Sequence, residues 1–93
     1  MIKFAICDDE PLMAQALSGH LARYMEEKQR TAYSINIFSN GRALLEDSAG
    51  FDVIFLDIQM EQPDGMETAR RLRQRGDHSL LVFVTVLKEL VFD

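Results

Sequence analysis

Cysteine appears once in this 93-residue chain, histidine twice and glycine five times. The single cysteine, Cys7, excludes an internal disulfide, and its seat in an apolar run points to a buried, reduced thiol and so to the cytoplasm. The histidines, His20 and His78, have no metal-ligand spacing, which argues against a zinc site. No histidine and acid stand near Ser39 as a base relay for acyl transfer. Gly65 and Gly76 stand alone, so there is no glycine-rich phosphate loop. No apolar run approaches the ~20 residues of a membrane span, and no charged leader opens onto an apolar stretch; the expectation is a chain neither exported nor inserted. Basic residues are scarce too, with ten Lys and Arg against fifteen Asp and Glu and a net charge of -5. That balance speaks against a nucleic-acid surface. The one basic cluster, Arg70, Arg71, Arg73 and Arg75, falls late in a predicted helix, where cations complement the negative end of the macrodipole.

What the chain does contain is 47% hydrophobic residues arranged in alternating strand and helix patterns, enough for one small domain over residues 1–93. Ile2 to Cys7 reads as a strand, interrupted by the acids of DDEP. From Pro11 to about Lys28 a helix is expected, with Leu12, Ala16, Leu17, Leu21, Tyr24 and Met25 as its apolar residues and Pro11 in its first turn. Tyr33 to Phe38 alternates like an edge strand. Ser39 or Asn40 then offers an N-cap for a short helix carrying Ala43, Leu44 and Leu45. Phe51 to Leu56 reads as a strand covered on both faces. A helix from about Asp64 to Arg75 follows, with Met66, Ala69 and Leu72 inward and Gly76 as its stop. Leu80 to Val84 is a fourth strand, ending at Thr85, and VLKELVFD opens another helix. This alternation predicts an α/β fold with a doubly wound parallel sheet, whose ligands gather outside the carboxyl ends of the strands.

Those ends are where the chemistry-bearing residues fall. The first strand ends in Asp8 and Asp9, the third in Asp57 and the fourth in Thr85. Carboxylates brought within ~4–6 Å of one another repel. A divalent cation relieves that repulsion, and Mg2+ suits an all-oxygen site that works beside phosphate. The plainer reading makes Asp8 and Asp9 helix caps and Asp57 a turn residue; the coincidence of three strand ends favours the cation pocket.

CDDE after the first strand, FLDIQM at the third, DG at Asp64 and Gly65, and FVT at the fourth together resemble the receiver domain of two-component response regulators, in order and register. The resemblance implies a flavodoxin-like sheet of strand order 2-1-3-4-5 and phosphoryl transfer from a sensor histidine kinase onto Asp57. It also implies direct Mg2+ ligation by Asp9, action of Asp8 through water, a backbone carbonyl ligand at Gln59, and a switch hydroxyl at Thr85. Such a domain phosphorylates itself from a donor and is not a multiple-turnover enzyme. The wording around the motifs looks like that of regulators with a LytTR-type DNA-binding output.

Two departures accompany the resemblance. Glu61 stands where the family usually has proline, with Pro63 nearby; the plain reading of Glu61 is a solvated loop acid. The receiver also reads as C-terminally incomplete, with four strands present and most of helix four, strand five and helix five lacking. With strand five goes the family's lysine, which Lys88 cannot replace by motif. The LLVFV strand is then expected to be an exposed edge that recruits a second copy, by pairing or by exchange of the VLKELVFD segment. The alternative function is a pseudo-receiver, an interaction or dimerisation module without phosphotransfer. A Mg2+ hydrolase is disfavoured, because the position two residues past Asp57 holds the amide Gln59 and not an acid/base carboxyl.

Overall fold

The computed structural model describes residues 1–47 and 49–84. Thr85, Lys88 and the helix expected in residues 86–93 lie outside the described residues. The elements are β1 (Ile2–Cys7), α1 (Pro11–Glu27), β2 (Tyr33–Phe38), α2 (Gly41–Glu46), β3 (Val53–Asp57), α3 (Gly65–Gln74) and β4 (Leu80–Val84). All strand pairs are parallel, in the order β2-β1-β3-β4. The chain runs outward from β1 to β2 and then crosses back to β3 on the other side. The reversal of strand order therefore lies between β1 and β3, where a doubly wound sheet opens its ligand crevice.

The two-residue period of the strands sends Ala5, Cys7, Ile54 and Leu56 to one face, where they form a single buried cluster with Leu44 of α2 and Ala69 and Leu72 of α3. Phe4, Ile6 and Phe55 turn to the other face, with the Phe4 ring 6.4 Å from those of Phe55 and Tyr33. α1 packs on β1, and its buried residues, Ala14 and Met25, stand outside the first cluster.

The structure sorts the apolar residues of α1 and corrects two expectations, on α3 and on the third strand. On α1 the inward line runs through Ala14, Leu17, Leu21 and Met25, while Leu12, Ala16 and Tyr24 face solvent. Both lines have helical spacing, and contact with the sheet selects between them. On α3 Met66 is exposed, while Thr68 is buried along with Ala69 and Leu72. The third strand begins at Val53 and not Phe51, because the Asp52 carboxylate takes the Lys3 N–H at 2.8 Å and so replaces a ladder bond. Phe51 instead stands edge-on to Phe38 at 5.6 Å. Nor is that strand equally covered, since Ile54 and Leu56 are buried but Val53 and Phe55 only partly so.

Local chemistry sets the helix ends. Asn40, not Ser39, caps α2, its Oδ1 accepting from the Ala43 N–H at 2.8 Å, and Asp64 caps α3 by accepting from Glu67 N–H at 2.8 Å. At the other end of α3, Gly76 takes φ +85°. Its N–H reaches the Arg73 carbonyl and the Asp77 N–H the Leu72 carbonyl, a Schellman closure that favours glycine at that position. The arginines are used locally. Arg70 and Arg71 clasp Glu67, whose carboxyl their hydrogen bonds hold below its ordinary range. Arg73 donates to the carbonyls of Asp77 and Ser79, and Arg75 to that of Leu45 at the end of α2. Among the described residues β4 is paired only with β3, and Leu80 and Phe83 are exposed. No helix among the described residues is long and apolar enough to cross a membrane.

Candidate functional site

Parallel pairing of β1 with β3 sets Cys7 opposite Leu56. One step further along each strand come Asp8 and Asp57, on neighbouring chains that run ~4.8 Å apart. The carboxylates of Asp8, Asp9 and Asp57 accordingly gather at the carboxyl edge of the sheet, with one oxygen from each lying within 4.8 Å of the others. Asp8 is 8% and Asp57 3% exposed, whereas Asp9 faces solvent. The cluster thus has a buried floor and an open lip.

Backbone groups orient the two buried acids. Glu10 N–H donates to Asp8 Oδ1 at 2.9 Å, and Gln59 N–H to Asp57 Oδ1 at 3.2 Å. Both are turn bonds between residues two apart; the N-cap of α1 is Glu10 and no side chain caps that helix, so the helix-cap reading of Asp8 and Asp9 is not met, and neither bond requires the convergence of three acids. Behind Asp57 the chain turns sharply, with Ile58 N–H on the Val84 carbonyl and Gly65 N–H on the Ile58 carbonyl. A Cβ at Gly65 would lie 2.2 Å from the Asp57 carbonyl oxygen. The start of α3 thus rests directly on the backbone of Asp57.

The cluster also acts on its neighbour. Burial, followed by the negative charges of Asp8, Asp57 and Asp9, pushes the Cys7 thiol up from 9.0 to about 12. Its Sγ–H lies 3.8 Å from Met60 Sδ within the core. Native Cys7 is therefore expected to resist alkylation by iodoacetamide at pH 8 and to react fully in denaturant; rapid labelling of the folded chain would contradict this. Above pH ~9 the unfolded thiol loses its proton while the folded one keeps it. The unfolded state then binds fewer protons, and stability falls as pH rises from ~9 toward ~12.

The donor set suits Mg2+. It is all oxygen and anionic; ligands ~2.1 Å from the ion stand at most ~4.2 Å apart, so these oxygens, within 4.8 Å of one another, would close in slightly around it. Asp8, Asp9 and Asp57 are brought together as expected. Gln59 follows Asp57 and donates its N–H to it, Glu61 is exposed in the loop beyond, and Thr85 falls outside the described residues. The packing of Gly65 and Met60 against this corner is new. The DG pair was visible in the sequence, but the contact that requires glycine there arises only from the folded backbone.

Comparison with known proteins adds four findings. Residues 4–92 match the response regulator receiver domain family. An uncharacterized response regulatory protein of Vibrio cholerae is 37% identical over 86 residues, which is 90% of this chain and 31% of that protein. The chain thus spans about a third of that relative's length. The response regulator TrrA of Thermotoga maritima, solved in complex with Mg2+-BeF, superposes with a TM-score of 0.79 at 25% identity, over all of this chain and 76% of that one. TrrA in complex with the histidine kinase ThkA gives 0.75 at 26% identity, over 92% of this chain and 70% of the matched one.

Proposed function

Since the chain belongs to the response regulator receiver domain family, we propose that it is a phosphoacceptor, taking a phosphoryl group from a sensor histidine kinase onto Asp57. The convergence of Asp8 and Asp9 on a nearly buried Asp57 carries this reading. An Asp57 carboxylate oxygen forms a bond to phosphorus while the bond from phosphorus to the donor breaks, and the leaving group departs with that electron pair. The ionised carboxylate attacks directly, so the step needs no general base. The Gln59 N–H holds one Asp57 oxygen and the Asp57 backbone abuts Gly65, so the nucleophile is positioned before the donor arrives.

Asp9 and Asp57, Asp8 through water, and the Gln59 carbonyl are the proposed Mg2+ ligands. When bound, the cation neutralises the clustered acids and the phosphoryl oxygens that approach them. Thr85 keeps the proposed role of switch hydroxyl. The kinase partner is supported by the TrrA complex with ThkA. A DNA-binding output, in a protein of which this chain is one part, belongs to the same proposal. Each domain carries one phosphoryl group at a time and is not a multiple-turnover enzyme.

Incubation with acetyl phosphate should add one phosphoryl group to the intact mass with Mg2+ present and none with EDTA. No addition under either condition would favour the pseudo-receiver, binding partners without transfer. Self-association through β4 is a further proposal, motivated by the exposed Leu80 and Phe83 on a strand paired on one side among the described residues. Light scattering should show dimers that dissociate on Phe83→Lys; a monomer at high concentration would refute it. Exchange of residues 86–93 concerns a segment outside the described residues.

A further inference from the structure

A cleft of about 360 Å³ opens beside the acid cluster, walled by Asp9, Asn40, Arg42, Met60, Glu61 and Gln62. Its size admits a small molecule, and Asp9 belongs both to this wall and to the carboxylate cluster. Asp57 does not itself line the cleft, which meets the cluster at Asp9, so a donor on Asp57 that extends past Asp9 enters it. The charge of the wall is uneven, with Asp9 and Glu61 negative and Arg42 its one cation. Arg42 also differs from the arginines of α3. Those are engaged with Glu67 or with backbone carbonyls, whereas the Arg42 side chain is exposed and, among the described residues, makes no hydrogen bond or ion pair. A guanidinium left available beside two carboxylates is suited to a planar anion, which it grips through paired N–H donors.

Resting on the phosphoacceptor reading above, we propose that Arg42 is a specificity-determining residue that holds the anionic leaving group of an acyl phosphate donor. In that transfer the bond from Asp57 oxygen to phosphorus forms and the bond from phosphorus to the acyl oxygen breaks. The acyl oxygen leaves with the electron pair as a carboxylate, and no proton moves. Negative charge therefore grows on the leaving oxygens as the bond breaks, and a nearby guanidinium stabilises the transition state more than the bound donor. Without Arg42, Glu61 would repel that growing charge.

The test compares two donors on each variant, acetyl phosphate and phosphoramidate, whose leaving group is neutral ammonia. Arg42→Gln should slow labelling by acetyl phosphate about tenfold and by phosphoramidate less than about twofold, with Arg42→Lys in between. The ratio of the two rates is taken within one protein sample, so it does not depend on the folded fraction. An equal loss with both donors, or an unchanged rate with acetyl phosphate, would overturn the role of Arg42 and leave the phosphoacceptor reading standing. A wild-type chain labelled by neither donor would overturn both.

Discussion

Asp57→Asn should acquire no phosphoryl group from acetyl phosphate in Mg2+, a loss of at least ~10³-fold, because an amide oxygen cannot replace a carboxylate nucleophile. The same substitution should make the metal-free chain more stable. Asp57 is 3% exposed and shares a 4.8 Å neighbourhood with two other carboxylates. At an effective dielectric near 20 a pair of charges at that distance repels by a few kcal/mol, and solvent at the open lip weakens this. A gain of about 1–3 kcal/mol in denaturant unfolding without Mg2+ follows. Lost labelling accompanied by lost stability would point to a damaged fold and not to a missing nucleophile.

Gly65→Ala should lose function by a different route. The added methyl would stand 2.2 Å from the Asp57 carbonyl oxygen, 2.8 Å from Ile58 Cα and 2.9 Å from the Asp57 carbonyl carbon. These are backbone atoms, so no side-chain rotation relieves the overlap. Either α3 retreats or the β3 end moves, and the expected cost is about 3 kcal/mol, at the upper end for overpacking. Where β3 yields, Asp57 shifts by something on the order of 1 Å, enough to slow phosphorylation about 100-fold. Gly19→Ala is the matched control: nothing lies within 4 Å of its added methyl, and an alanine inside α1 should stabilise by about 0.5–1 kcal/mol. Chemical denaturation and acetyl phosphate labelling of both variants test the contrast; wild-type labelling and stability in Gly65→Ala would refute it.

The comparison of these glycines shows what could and could not be read in advance. Asp8 and Asp57 were legible because each ends a strand whose direction and pairing follow from hydrophobic pattern, and parallel register then brings the ends together. The strands β1, β2 and β4 have their expected bounds for the same reason. The requirement for glycine at 65 depends on how closely α3 meets the β3 turn, a tertiary distance with no periodic trace. On α1, Leu12, Ala16 and Tyr24 share the spacing of the buried line, and only contact with the sheet distinguishes them. Hydrophobicity points Met66 inward, yet Thr68 is the buried residue, fully covered and 3.5 Å from the Pro63 carbonyl. The apolar run draws Asp52 into the third strand, but its carboxylate competes for the Lys3 N–H.

Adding Mn2+ to the isotope-labelled chain and recording amide spectra tests most directly whether the strand-end acids form a cation site. Paramagnetic broadening should begin at Asp8, Asp9, Asp57 and Gln59, and excess Mg2+ should reverse it. Broadening spread over exposed acids such as Glu26 and Glu27, with those four signals left sharp, would contradict the account.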